Sequence, residues 1–407
     1  MRVTTAFNNI LAVPGANVAR VAFTPEGIVV GLRRRGRRLT CSCGWSTRAT
    51  YDRSTRRWRH LDLGSTKLFL EAEIRRLRCQ ACGRVRTEAV PWARPGARHT
   101  RDLQDVVAYL ATRTDKTTIT TLLRVSWEAV AQIVCDVVAD QVDSSRLEGV
   151  YRIGVDEVSY RHQRFLTVVA NHDRDGSVIW VKEGRSAKVL EAFYDDLSED
   201  GASGIEAVSL DMGSAYKAAT DAKAPQAAQC VDPFHVIKGA NAAIDRTRRW
   251  AWNQHRRSGS PSARWVKATR WALLKDPGDL KASQRAVLEE LRVTRSVLYR
   301  AYQVKEALRD LYRLADPSLA RGHLDRWLAW ACRCRIPAMV RFSRTVRANK
   351  ERILAAVELG LSNSRLEGLN SKVRLINHRG YGHSLPALVA MIYLCCGGVR
   401  VTLPTSR

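Results

Sequence analysis

The stretch Tyr151-Arg-Ile-Gly-Val-Asp-Glu-Val-Ser-Tyr160 sets an acidic pair directly after a short apolar run. Ile153, Gly154 and Val155 read as the start of a buried strand, and Phe165 to Ala170 (F-L-T-V-V-A) as a second strand of the same kind, so the two are expected to form a hairpin in a sheet core. A carboxylate there, Asp156, costs free energy unless it is solvated, hydrogen-bonded or bound to a cation. By itself it fits a solvated strand end better than a metal ligand. Two later stretches bear on the choice. The strand Ala207 to Leu210 ends at Asp211, in Ser-Leu-Asp-Met-Gly-Ser-Ala-Tyr, where the chain leaves the sheet and a ligand can be reached. Near the C-terminus, Leu361-Ser-Asn-Ser-Arg-Leu-Glu-Gly-Leu-Asn-Ser-Lys-Val-Arg374 places Asn363, Glu367, Asn370 and Arg374 on one polar helix face and Leu366, Leu369, Val373 and Ile376 on another. A lone Glu on such a helix normally faces solvent; here short polar side chains flank it, and Lys372, Arg374, His378 and Arg379 follow.

The 407 residues are enough for two or more cores, and 45% hydrophobic content is that of a globular chain. Lys and Arg number 67 against 40 Asp and Glu, a formal charge of +27 that favours a polyanionic partner, nucleic acid first. An anionic membrane is the competitor. The longest apolar run, Leu385 to Val399, is interrupted by Pro386, Gly397 and Gly398, and Asn8, Asn9 and Pro14 break any signal-peptide core. The expected location is the cytoplasm, with no membrane association.

Residues 1–95 are rich in Arg and in β-like runs such as Gly27 to Leu32 and Lys67 to Leu70, and they hold four of the ten Cys. Cys79-Gln-Ala-Cys82-Gly is a good zinc knuckle, because two Cys two residues apart and followed by Gly turn both thiolates to one tetrahedral ion. Cys41-Ser-Cys43-Gly is less regular, and His60 is kept as a substitute ligand. Zinc is expected, since a small β-rich segment has little core of its own and a metal supplies folding free energy. Cys332, Cys334, Cys395 and Cys396 read as buried small apolar residues. Arg94 to Arg98 is a linker by composition. Residues 99–147 then carry three amphipathic helices, Arg101 to Arg113, Ile119 to Leu123 and one after the N-cap Ser126, in the outline of a helix-turn-helix.

From residue 148 the pattern is α/β. Strands are predicted at 151–158, 164–171, 176–182, 207–210 and 229–231, with a helix at 187–197. Asp232-Pro-Phe-His235-Val opens a further helix, with Pro233 at its first position. Residues 239–360 read as an all-α insertion, very basic, whose Trp250, Trp252, Trp265, Trp271, Trp327 and Trp330 are expected to be mostly core.

Together G-V-D-E, S-L-D-M-G-S-A-Y, D-P-F-H-V and N-S-R-L-E-G-L-N-S-K resemble the catalytic motifs of insertion-sequence transposases of the ISL-three type, and the resemblance covers nearly the whole chain. It implies an α/β fold: a β-rich zinc ribbon (1–95) and a helix-turn-helix (99–147), then an RNase H-like DDE domain in two parts (148–238 and 361–407) around the large all-α insertion. The implied triad is Asp156, Asp211 and Glu367, with Asp232 and His235 matching a D-x-x-H element and His235 a further catalytic candidate. The C-x-C spacing at Cys41 and Cys43 is the one departure.

Three acids suit the chemistry. Phosphodiester hydrolysis and transfer use divalent ions to activate one oxygen and stabilise another, and hard Mg²⁺ (or Mn²⁺) prefers carboxylates. Zinc is expected on Cys41, Cys43, Cys79 and Cys82, and DNA contacts at Ser126, Trp127, Lys372, Arg374 and Arg379. The partner is double-stranded DNA, both transposon ends and target, and pairing two ends implies a homodimer or higher oligomer working at the nucleoid. The competing readings are a sequence-specific DNA-binding regulator without catalysis, and a metal-dependent nuclease or resolvase without strand transfer.

Overall fold

The computed structural model describes every residue except Met1, Arg295, Tyr381, Gly382 and Arg407, and leaves the side chains of Ser214, Ser364, Arg365 and Glu367 undescribed. The chain forms two compact units, Met1–Arg146 with Val373–Arg407, and Leu147–Lys372.

The first unit opens with helix α1 (Val3–Leu11) and strands β1 (Ala16–Thr24) and β2 (Gly27–Arg34). The short β3 (Leu39–Thr40) and β4 (Ser46–Thr47) follow, then β5 (Asp52–Arg59), β6 (Leu68–Arg78) and β7 (Val85–Thr87). The main sheet runs β1-β2-β6-β5, with β7 paired to β6, and β3 and β4 form a small hairpin apart. Alternation along β6 explains the layering: Leu68, Leu70, Ala72 and Ile74 turn inward and the residues between them outward. They pack on Phe7, Val30, Trp58 and Trp92, whose indoles meet edge to face at 5.8 Å. The N-terminal segment therefore owns a core, contrary to the expectation of a segment dependent on metal. Periodicity in β5 hides it, since Trp58 is the one buried residue among Arg and Ser.

Helices α2 (Arg101–Ala111), α3 (Lys116–Leu123) and α4 (Trp127–Ala139) come next. Each start has a side-chain cap: Thr100 accepts from the Leu103 amide, Asp115 from Thr118 and Ser126 from Ala129. Between α3 and α4 the chain turns tightly through Arg124, at φ 53°. Arg94, expected in a linker, is buried: it donates to Asp105 at 2.7 Å and Gln104 at 3.1 Å, and pairs with Asp140 at 3.1 Å. A guanidinium with three partners can leave water, so charge there is no sign of a linker.

The second unit is built on β8 (Arg152–Arg161), β9 (Arg164–Asn171), β10 (Ser177–Glu183), β11 (Ala207–Leu210) and β12 (Ala228–Val231), in the order β10-β9-β8-β11-β12. β8, β9 and β10 are antiparallel, whereas β11 runs parallel to β8 and β12 parallel to β11. Helices α5 (Ala187–Ser203) and α6 (Ser214–Lys223) supply the crossovers, and Leu190, Phe193, Tyr194 and Ala219 cover the Ile153, Val155 and Val208 face of the sheet. Predicted and observed strands agree to within a few residues; β8 runs to Arg161, three residues past its predicted end, which makes Asp156 a mid-strand residue and not a strand end.

After β12 come helices only, among the described residues: α7 (Pro233–Arg257), α8 (Ser262–Ala268), α9 (Arg270–Leu274), α10 (Ala282–Val293), α11 (Val297–Arg309), α12 (Ala320–Arg333), α13 (Pro337–Ala348) and α14 (Lys350–Glu358). They share a core of residues such as Ile244, Leu273, Leu308, Leu328 and Phe342. Lys305, fully buried, donates to the Leu273 carbonyl at 2.6 Å and so closes the end of α9. Of the six Trp expected to be mostly core, Trp327 is buried, Trp252 and Trp265 are half-buried, and Trp250, Trp271 and Trp330 are exposed. Neighbouring cations explain part of this: Arg270 sits over Trp271 at 5.0 Å, and Arg256 and Lys267 over Trp252 at 5.3 and 5.5 Å. Finally α15 (Ser364–Arg379) buries its expected stripe of Leu366, Leu369, Val373 and Ile376, and α16 (Leu385–Cys396) packs on α4 in the first unit.

Trp58 anchors the first unit's sheet. Trp58→Ala is expected to cost about 3–5 kcal/mol and to appear as an early transition in urea unfolding followed by circular dichroism; an unchanged midpoint would show that the Trp58 and Trp92 pair does not hold the sheet.

Candidate active site, zinc knuckles and nucleic-acid groove

Strand register brings the acids together. Ser209 pairs with Gly154, and two residues further on these strands carry Asp211 and Asp156. Leu210 pairs with Val231, and one residue further on they carry Asp211 and Asp232. Asp156 is buried: its Oδ1 accepts the Glu157 amide at 2.8 Å and its Oδ2 the Asn370 side-chain amide at 2.5 Å. Burial pushes its carboxyl up, and the charge of Asp211 adds to the rise, against the hydrogen bonds and the pull of His235. Glu157 is raised for the same first reason, burial, with Arg185 opposing. Asp211 accepts the Gly213 amide at 2.7 Å, and its carbonyl accepts from Arg352 of α14 at 3.1 Å.

Asp232 is 1% exposed. Its Oδ1 accepts the amides of Asn363 at 3.0 Å and Phe234 at 3.4 Å, and burial raises this carboxyl also. Among the described residues its Oδ2 is buried without a hydrogen-bond partner, 3.9 Å from His235 Nε2. As expected, Pro233 opens α7 and puts His235 in its first turn. Glu367 lies in α15, four residues after Asn363 and three before Asn370; its side chain is outside the described residues.

Asp156 and Asp232 are buried carboxylates whose charged forms burial disfavours, and with the half-buried Asp211 they offer oxygens that could hold a hard divalent cation. The orphaned Asp232 oxygen strengthens the electrostatic demand for positive charge.

The four Cys converge. Their sulfurs all lie within 4.8 Å of one another, with Cys41 to Cys82 at 3.8 Å and Cys43 to Cys79 at 3.4 Å. A tetrahedral Zn²⁺ with sulfur at about 2.3 Å sets sulfurs about 3.8 Å apart. Both loops use a left-handed Gly, Gly44 at φ 89° and Gly83 at φ 69°, so the one-residue spacing of Cys41 and Cys43 is no obstacle. The Cys43 backbone amide, bonded to the Cys41 sulfur, brings that thiol down to about 6, which favours the thiolate a metal needs. His60 is not a ligand: it is buried and bonds Thr100, the cap of α2, at 2.8 Å.

Beside α4 runs a groove of about 980 Å³ walled by the strand residues Arg57, Arg59 and Phe69, by Lys67, Arg98 and Arg124, and by the start of α4. Ser126 lines it; Trp127 is half-buried, with the Lys116 ammonium 4.4 Å from its ring centre. Lys372, Arg374 and Arg379 are exposed on α15. The groove cations went unnoticed in the sequence because they come from segments far apart in the chain; the alternating Arg of β5 was the available signal.

Three family models match in chain order: a zinc-finger of transposases IS204/IS1001/IS1096/IS1165 at residues 40–82, the helix-turn-helix domain of transposase family ISL3 at 88–138, and the family's transposase (DDE) domain at 153–392. The transposase for insertion sequence element IS1557 of Mycobacterium tuberculosis is 39% identical over 398 residues, covering 92% of this chain and 88% of that protein. The transposase for IS1001 of Bordetella parapertussis is 29% identical over 344 residues, 84% of each chain. With its zinc ribbon, DNA-binding helix-turn-helix and DDE domain in that order, the chain belongs to the ISL3 family of insertion-sequence transposases.

Proposed function

We propose that this transposase binds the terminal inverted repeats of its element, cleaves there by metal-dependent hydrolysis, and joins the freed 3′-hydroxyl ends to target DNA by transesterification. The second unit is read as an RNase H-like domain interrupted by the all-α insertion at 239–360. The observation that carries the reading is the bond from Asn370 to Asp156, which ties the helix containing Glu367 to the strand containing the first acid. Asp156, Asp211 and Glu367 would hold Mg²⁺ or Mn²⁺, which when bound activates the attacking oxygen and stabilises the leaving one.

The chain's own groups do the rest. Asn370 and the Glu157 amide hold the Asp156 carboxylate in one orientation. Gly213 and Arg352 do the same for the turn at Asp211. His235, 22% exposed at the side chain, is placed to donate from its ring to a phosphate oxygen. Lys372, Arg374 and Arg379 neutralise the backbone of DNA approaching α15, and the groove beside α4, with Ser126 on its wall and Trp127 behind, takes the duplex of the terminal repeat. A homodimer or larger oligomer on DNA, at the nucleoid in the cytoplasm, would pair the two ends. Among the described residues no helix is long and apolar enough to cross a membrane.

Three outcomes check this reading. Asp156→Ala, Asp211→Ala and Glu367→Ala should each abolish Mg²⁺-dependent cleavage and strand transfer on terminal-repeat DNA while gel-shift affinity stays near wild type; normal cleavage removes that residue from the triad, and cleavage without joining leaves a nuclease. Lys67→Glu with Arg98→Glu should weaken binding of terminal-repeat and unrelated duplexes alike and lower the slope of log K against log salt by about one per lost phosphate contact; an unchanged slope takes the groove out of the DNA path. Elemental analysis should find one zinc per chain, lost in Cys79→Ser, with far-ultraviolet circular dichroism largely kept because the sheet has its own core; retained zinc would refute the four-Cys site.

A further inference from the structure

Asn363 precedes the first turn of α15 and is 1% exposed. A buried amide must place its polar groups on partners or forfeit free energy. This one distributes them over three strands. Its backbone N–H donates to Asp232 Oδ1 at 3.0 Å, immediately after β12. Its side-chain N–H donates to the Val155 carbonyl at 3.3 Å, one residue before Asp156 on β8. Its side-chain oxygen accepts from the Ser209 hydroxyl, two residues before Asp211 on β11, and Ser209 is in turn bonded to His172 at 2.8 Å. Gly154 permits the approach: a Cβ there would lie 2.5 Å from Leu366, 2.8 Å from the Asn363 side-chain oxygen and 2.8 Å from His172.

We propose that Asn363, with Asp232 and Ser209 as its partners, is a positioning residue that sets the rotation and depth of α15 over the sheet. One end of the helix is then tied to all three strands that lead to acids, and the second turn is tied again through Asn370 and Asp156. Rotation matters because each residue of slip turns a helix by about 100°, which would change which residues of α15 lie over the sheet. Asp232 acts here as a hydrogen-bond acceptor, a role its charge does not require. The consequence for cation binding rests on the proposed assignment of Glu367, so the test separates the two.

The experiment uses the full-length protein and three readouts: hydrogen exchange of residues 364–372 by mass spectrometry, Mn²⁺ affinity by titration, and cleavage of terminal-repeat DNA. Asn363→Ala should raise exchange in that segment about tenfold, with the rest of the second unit unchanged, and should weaken Mn²⁺ binding about 10–100-fold. Asp232→Asn, which keeps an acceptor oxygen, should leave exchange near wild type. Ser209→Ala, a small truncation that serves if Asn363→Ala does not fold, should raise exchange in the same segment. Glu367→Ala should lower Mn²⁺ affinity without altering exchange. Wild-type exchange and Mn²⁺ affinity in Asn363→Ala, unchanged exchange in Ser209→Ala, or exchange rising throughout the unit would overturn the clamp. Wild-type cleavage and Mn²⁺ affinity in Glu367→Ala would instead overturn the assignment of Glu367, a failure that the exchange data keep distinct.

Discussion

An acid buried in the middle of a sheet has to be compensated, and Asp156 imposes that requirement on its surroundings. Its neighbours meet it with an amide from its own strand and an amide from α15, so a helix distant in sequence is drawn over β8. The close packing then forces Gly154, two residues earlier, to lack a side chain. On the opposite face, free of polar obligations, Ile153 and Val155 make an ordinary apolar core with α5 and α6. One strand thus divides into a face that stabilises the domain and a face that carries charge at the domain's expense.

The first unit separates two tasks in another way. Its sheet is stabilised by burial of Trp58, Trp92 and the inward residues of β6, whereas the hairpin bearing Cys41 and Cys43 has only Leu39, Leu77 and Trp45 around the sulfurs. So small a cluster cannot hold two glycine turns in register, and zinc chemistry supplies what apolar area does not. The caps of α2, α3 and α4 add local stiffness where the helix-turn-helix needs fixed angles.

Much of this was legible in the residues. Period-two and period-3.6 patterns located β9, β11, α4 and the buried stripe of α15, and Pro233 and Ser126 marked helix starts, because those signals are local. Four readings failed where the deciding partner is remote. Arg94 looked like linker until three acceptors from other segments surrounded it. The Trp residues of the helical block looked like core, yet Trp250 and Trp271 face outward. His60 had the chemistry of a ligand but lies beside Thr100. Asp156 read as an acid near a strand end because the predicted strand stops at 158, and the alternating polar residues hide its continuation through the buried Tyr160 to Arg161. For the acids, the resemblance of the motifs named the residues; strand register set Asp232 beside Asp211.

Arg352 alters how the long helical block between β12 and α15 should be regarded. It lies in the first turn of α14, the block's last helix, donates to the carbonyl of Asp211, and is held by Asn349. The block is therefore no passive spacer whose length alone matters: it returns a cation to the turn after β11, one strand before the strand it departs from. Exchange of this block between related transposases would transplant a contact as well as a fold, and a chimaera joined before Lys350 would keep the Asp211 turn supported where one joined after Glu358 would depend on the donor's own arginine.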